Sequence, residues 1–131
     1  MNLLLDTHIW IWSDLEPRRL SVDGHSALSD SKNELWLSPV SIWEVTVLLR
    51  KRRISLPEEF RDWLEESVQA LRLREASLTW RVAAELQTLA IRHYDAADRF
   101  LVATAKVFDL TLVTADERLI QAPGLKILAN H

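Results

Sequence analysis

Cysteine is absent from the 131 residues, glycine occurs only twice, at Gly24 and Gly124, and proline four times. Without thiols there is no disulfide framework, no thiolate zinc site and no cysteine nucleophile, and nothing points to an oxidising compartment; the expectation is a cytoplasmic protein. Two isolated glycines do not make the glycine-rich loop of Walker or dinucleotide sites, which argues against a nucleotide cofactor. Long apolar runs are missing as well. Asp6 interrupts the run Leu3, Leu4, Leu5 almost at once, no basic segment precedes it, and nothing approaches the roughly 20 residues of a membrane span, so no membrane partner is expected. Positive charge is not in excess either: 16 Lys and Arg against 19 Asp and Glu leave a net charge of -3, which argues against holding nucleic acid by a broadly basic surface.

What is present is apolar enough, at 48% hydrophobic residues, to bury the core of one compact domain spanning residues 1–131. Short apolar runs that read as strands occur at Asn2 to Asp6, Glu34 to Ser38, Leu110 to Thr114 and Lys126 to Leu128, with a weaker one near Leu71 to Arg74. Between them the spacing is helical. Within Trp80 to His93, Val82, Leu86 and Leu89 recur at helical intervals, and so do Ala97, Leu101, Thr104, Ala105 and Phe108 in the following segment. Ser55 or Pro57 is placed to begin a helix carrying Phe60, Trp63 and Leu64, which predicts a helical hairpin between the second and third strands. Apolar strands alternating with helices imply an α/β fold with a central, mostly parallel sheet of four to five strands and helices on both faces.

The chemistry then rests on acids. His8, His25, His93 and His131 show no ligand spacing; each has an ordinary structural reading, with substrate contact as the functional alternative for His8 and His93. Asp6 ends the first strand, Asp116 follows the Leu110 to Thr114 strand, Glu44 lies one turn into the helix after the second strand, and Asp98 opens the helix before the fourth. In an open parallel sheet the carboxyl ends of the strands face the ligand crevice, so four carboxylates can converge on one edge.

Each acid also has a capping explanation. Ser41 with Glu44 and Thr114 with Glu117 match capping boxes, the second leaving Asp116 in a first turn, where an acid meets the helix dipole favourably. Asp6 fits an N-cap, and Asp95 is the best N-cap for the helix from Ala96, which makes Asp98 its third residue. Taken together, acids gathered on one edge repel one another, and a hard divalent cation makes the cluster favourable.

The segments "LLLDTHIWIW", "SPVSIWEV", "HYDAADRFLVATA" and "LTLVTADERL", in this order and spacing, resemble a PIN-domain protein, specifically the VapC-type ribonuclease toxins of bacterial toxin-antitoxin pairs. The resemblance covers nearly the whole chain. It implies a PIN-like three-layer fold and a metal-dependent endoribonuclease. Asp6, Glu44, Asp98 and Asp116 match the catalytic acidic quartet that binds Mg²⁺ or Mn²⁺, with Thr7 and Thr114 as small hydroxyl residues beside it and Asp95 as a cap or outer partner. Hydrolysis by a metal-activated water, leaving a 5′-phosphate and a 3′-hydroxyl, needs no nucleophilic side chain. Two positions depart from the pattern: Ala96, where many relatives carry proline, and Leu48, where many carry lysine.

The resemblance also implies partners: an RNA substrate, a VapB-type antitoxin whose C-terminal segment wraps the toxin, and a second copy in a homodimer. Arg99 and the run Arg50, Lys51, Arg52, Arg53 are candidates for backbone phosphate contacts, although cations also simply favour a helix C-terminus. Six tryptophans, at 10, 12, 36, 43, 63 and 80, are expected mostly in the core. Trp10 and Trp12 cannot share one side of a helix and Trp43 adjoins Glu44, leaving some aromatic surface for a partner. Two other readings are a catalytically silent PIN-like scaffold that binds RNA or protein, and a phosphoryl-transfer site, for which "DTH" lacks the paired acids of a DxD motif.

Overall fold

Three consecutive leucines with no solvent exposure, Leu3, Leu4 and Leu5, need apolar cover on both faces, because successive strand side chains point to opposite sides. The computed structural model, which describes residues 1–89 and 94–131, supplies that cover. Strand β1 (Asn2–Leu5) lies at the centre of a five-stranded sheet of order β3-β2-β1-β4-β5. Its neighbours are β2 (Glu34–Leu37) and β4 (Thr111–Thr114); β3 (Arg74–Glu75) and β5 (Ile127–Ala129) form the edges. Every pairing is parallel, with Leu4 opposite Trp36 on one side and Leu112 on the other. Leu3 and Leu5 enter one apolar cluster with Ile9, Trp10, Val45 and Trp63, while Leu4 joins Leu101, Val102, Leu112 and Leu119 in the other.

Parallel strands need crossovers, and helices fill them: α1 (Thr7–Leu15), α2 (Val22–Ser29), α3 (Pro39–Arg50), α4 (Phe60–Leu71), α5 (Trp80–Glu85), α6 (Ala96–Val107) and α7 (Glu117–Ile120). The predicted α/β class and hairpin position hold, since α3 and α4 both lie between β2 and β3. The second arm begins later than Ser55 or Pro57 suggested. Glu59 is its N-cap and accepts from Arg61 N at 2.9 Å and Asp62 N at 3.2 Å, so the helix starts at Phe60.

Two other boundaries moved. The weak strand expected near Leu71 to Arg74 is only Arg74–Glu75, because Leu71 still belongs to α4 and Arg72 ends that helix in a left-handed conformation with φ 52°. The helical pattern predicted over Trp80 to His93 stops at Glu85 and tightens to a 3₁₀ turn at Leu86–Thr88. At that point the Thr88 hydroxyl donates to the Glu85 carbonyl at 2.9 Å, the acceptor a further α-turn would use, and Leu89 N bonds Leu86 O instead. Residues 90–93, and with them the His93 expectation, lie outside the described residues. Among the described residues no helix is long and apolar enough to cross a membrane.

Candidate metal centre

All five strands point the same way, so whatever follows β1, β2 and β4 gathers on one edge. Asp6 follows Leu5 there and is only 9% exposed. Its backbone N–H still pairs with Val113 O, and its side chain is the N-cap of α1, Oδ1 accepting from Thr7 N at 2.8 Å. The other oxygen accepts from Thr114 Oγ1 at 2.6 Å. Capping and site placement are thus one geometry. Burial pushes the Asp6 carboxyl above its ordinary pKa, against the lowering effect of the Thr114 and Thr7 hydrogen bonds.

Glu44 arrives on α3. The capping box expected from Ser41 and Glu44 is not formed: Ser38 is the N-cap, accepting from Val40 N at 3.0 Å, and Pro39 opens the helix at a position that needs no N–H. Ser41 therefore sits inside the helix, buried, where its hydroxyl shares a 2.8 Å hydrogen bond with Thr7 Oγ1. The Thr7 hydroxyl also donates to Glu44 Oε1, tying α1 to α3 across the site. Glu44 too is raised, first by burial, then by the negative charges of Asp6 and Asp95, while the Thr7 bond opposes them.

Asp95 caps α6 as predicted, accepting from Asp98 N at 2.8 Å. Asp98 then faces the site, and burial together with the charges of Asp95 and Asp6 pushes its carboxyl up to about 7. Asp116 differs from expectation. It is itself the N-cap of α7, accepting from Arg118 N at 2.9 Å, while Thr114 Oγ1 accepts from Asp116 N at 3.1 Å and bridges to Asp6. No Thr114–Glu117 box forms, because Thr114 is still strand and points its hydroxyl into the site.

The residue that sequence reasoning missed is Arg118. Its Nη2 lies 2.9 Å from Asp116 Oδ2 and 3.3 Å from Asp98 Oδ2, and its Nε donates to Asp116 Oδ1 at 3.3 Å. The two acids respond unequally for a geometric reason. Asp116 receives two side-chain bonds from the guanidinium and is held below the ordinary carboxylate pKa, whereas Asp98 receives one longer bond that does not offset its burial. The signal available in the sequence was position: in "TADER", a capping aspartate has its second helical residue within reach of its own carboxylate.

A cavity of about 460 Å³ collects Asp6, Glu44, Asp98 and Asp116, with Asp95, His8, Trp12, Arg19 and Arg118 also on its wall. A larger groove of about 750 Å³ shares His8, Trp12 and Arg19 with it, and Arg19 stacks 4.2 Å over the Trp12 ring. Of the proposed phosphate contacts, Lys51 and Arg53 line a further groove that contains Glu44; Arg50, Arg52 and Arg99 are not on its wall. Trp10 and Trp63 are buried, Trp12 and Trp36 are half-buried, and Trp43 and Trp80 are exposed.

Among the described residues no three acids or histidines stand close enough to hold one ion as they are placed; Arg118, Thr7 and Thr114 engage their oxygens. The donor chemistry nevertheless fits a hard divalent cation. The donors are carboxylates only, and three of the four are pushed above their ordinary pKa, a cost that a nearby divalent charge removes.

Comparisons with known proteins agree with this architecture. A model of the PIN domain family matches residues 3–125. Ribonuclease VapC22 of Mycobacterium tuberculosis is 34% identical over 119 residues, spanning 90% of this chain and 89% of that protein. Among solved structures, VapBC2 from Rickettsia felis bound to a DNA fragment from its promoter superposes with a TM-score of 0.78 at 16% identity, covering 98% of each chain. DNA-bound VapBC from Salmonella typhimurium gives 0.69 at 18% identity, covering 100% of this chain and 99% of that one.

Proposed function

This chain belongs to the PIN domain family, and from that premise we propose that it is a VapC-type endoribonuclease, the toxin of a toxin-antitoxin pair, dependent on Mg²⁺ or Mn²⁺. One observation carries the reading. Four carboxylates from four separated segments, Asp6, Glu44, Asp98 and Asp116, line a single cavity at the carboxyl edge of the sheet. The 34% identity to a named ribonuclease supports the reaction class, and the antitoxin complexes among the structural relatives support a VapB-type partner. A homodimer is part of the same proposal.

When bound, the divalent cation supplies charge neutralisation at the scissile phosphate and activation of a water. Asp6, Glu44, Asp98 and Asp116 would hold it. The chain's other residues prepare those acids: Thr114 and the Thr7 amide orient Asp6, the Thr7 hydroxyl backed by Ser41 orients Glu44, and Asp95 fixes the turn that presents Asp98. His8 is on the wall of the same cavity, where its imidazole would be within reach of a phosphodiester at the edge.

The test is Asp98→Asn and Asp6→Asn in purified protein, with folding checked by circular dichroism. Cleavage of cellular RNA in Mg²⁺ or Mn²⁺ is expected to fall by at least 100-fold; cleavage near the wild-type rate in a folded variant sinks the assignment. Arg118 specifically favours a second reading, the catalytically silent scaffold, because a permanent guanidinium across Asp98 and Asp116 would replace the metal. Calorimetric titration separates the two: heat of Mn²⁺ binding supports the nuclease, and none supports the scaffold.

A further inference from the structure

Helix α3 carries more than Glu44 to the site. Trp43, Val47, Leu48 and Lys51 recur along the same helical stripe, and Arg53 follows the helix end. The chain turns back there because Arg52 takes a left-handed conformation with φ 55°, so that Arg52 N bonds Leu49 O and Arg53 N bonds Leu48 O. Arg53 is thereby brought back to the groove that Lys51 lines. This groove, of about 420 Å³, is bounded by Trp43, Val47, Leu48, Lys51, Arg53 and the start of α6, and it shares His8, Glu44 and Asp95 with the acidic cavity.

Trp43 is 56% exposed and lines the groove, so a broad face of its indole is open to whatever enters there. Among the described residues the other exposed large apolar side chains, Met1, Val22, Leu78 and Trp80, line none of this groove. Further along the same wall stand two cations, Lys51 and Arg53, while the two acids of the groove, Glu44 and Asp95, belong to its junction with the acidic cavity. A lone aromatic face beside two cations, opening into an acidic cavity, is a poor match for an apolar protein surface. It is a good match for a nucleotide, whose base stacks on the ring while its phosphate meets the cations.

Resting on the nuclease reading above, we propose that this groove is a subsite for single-stranded RNA next to the scissile bond, with one base stacked on Trp43 and backbone phosphate held by Lys51 and Arg53. The subsite is sequence-tolerant, since every base offers a π-face. It gives α3 two roles on one rigid element, Glu44 at the reacting phosphate and Trp43 one step along the strand.

The test measures anisotropy of a fluorescein-labelled, mixed-sequence single-stranded RNA of about 12 nucleotides on the Asp98→Asn protein, so that cleavage does not intervene. Trp43→Ala is expected to weaken binding by about 5- to 100-fold, Trp43→Phe to restore most of it, and Lys51→Ala with Arg53→Ala to flatten the salt dependence by about 0.7 per cation in the logarithmic slope. Unchanged affinity in Trp43→Ala overturns the subsite, and so does a loss confined to binding of a purified VapB-type antitoxin or to self-association. If wild-type protein cleaves RNA while Trp43→Ala binds like its parent, the subsite alone fails. If wild-type protein neither binds nor cleaves RNA, the nuclease reading falls and the subsite falls with it.

Discussion

Arg118 and a divalent cation have the same electrostatic errand at this site. With no ion present, Asp98 and Asp116 would face each other across a partly buried cavity, and the guanidinium placed between them reduces that repulsion. It can do so only by engaging oxygens that an ion would need. Arg118→Gln is therefore expected to bind Mn²⁺ several-fold more tightly in calorimetry while melting at a lower temperature in EDTA. Equal or weaker Mn²⁺ binding would mean that the arginine is not a competitor. The hydroxyls act differently, since they organise single carboxylates without neutralising them. Removing the Thr114 hydroxyl by Thr114→Val leaves Asp6 with one hydrogen bond fewer in a buried place and is expected to cost about 1–3 kcal/mol in urea denaturation.

At the level of elements, the helix starts were legible where one residue serves as cap and illegible where two candidates compete. Asp95 before Ala96 was plain from spacing. Ser38 and Ser41 both offer a hydroxyl ahead of the same helix, and Pro39 decides between them because it is tolerated at the first helical position and fixes Ser38 outside. Helix ends were harder, because they depend on backbone conformation that no side-chain pattern records. Helix α4 ends on Arg72 at φ 52°, with Leu73 N bonded to Val68 O at 3.0 Å, a position that usually belongs to glycine. Arg72→Gly relieves the left-handed strain and is expected to stabilise the protein by about 1 kcal/mol in urea or guanidinium denaturation. A loss of stability would show that Arg72 makes a compensating contact.

On the scale of the whole molecule, the sheet's parallel order is what turns scattered acids into one site, and its outer strand has to be held as well. The residue after β5, Asn130, reaches back across more than 100 positions: Oδ1 accepts from Ser21 N at 2.6 Å and Nδ2 donates to Arg19 O at 3.1 Å. Gly24 in α2 is the counterpart of that tie. A Cβ there would stand 2.4 Å from Asn130 Oδ1 and 3.2 Å from Ser21 Oγ. Gly24→Ala, ordinarily favourable within a helix, is expected to destabilise this protein by about 1–3 kcal/mol through overpacking, read as a lower melting temperature. A stabilised variant would mean that the strand end moves freely. The glycine is needed for close approach, since only Gly124 of the two has a positive φ.

The sequence by itself determined the α/β class, the strand character and burial of Leu3 to Leu5, the capping of α6 by Asp95 and the segments that bring each acid to a strand end. These follow from local periodicity and from the rule that buried strands are apolar on both faces, both written in short stretches of chain. Tertiary structure alone decided that Ser41 would bond Thr7 rather than cap a helix, that Thr114 would serve Asp6 across 108 positions, and that Arg118 would lie between Asp116 and the more distant Asp98. The reason is that a hydroxyl or guanidinium takes whichever partner the packing leaves within about 3 Å, and that partner is fixed by strand order and register, which no local pattern encodes.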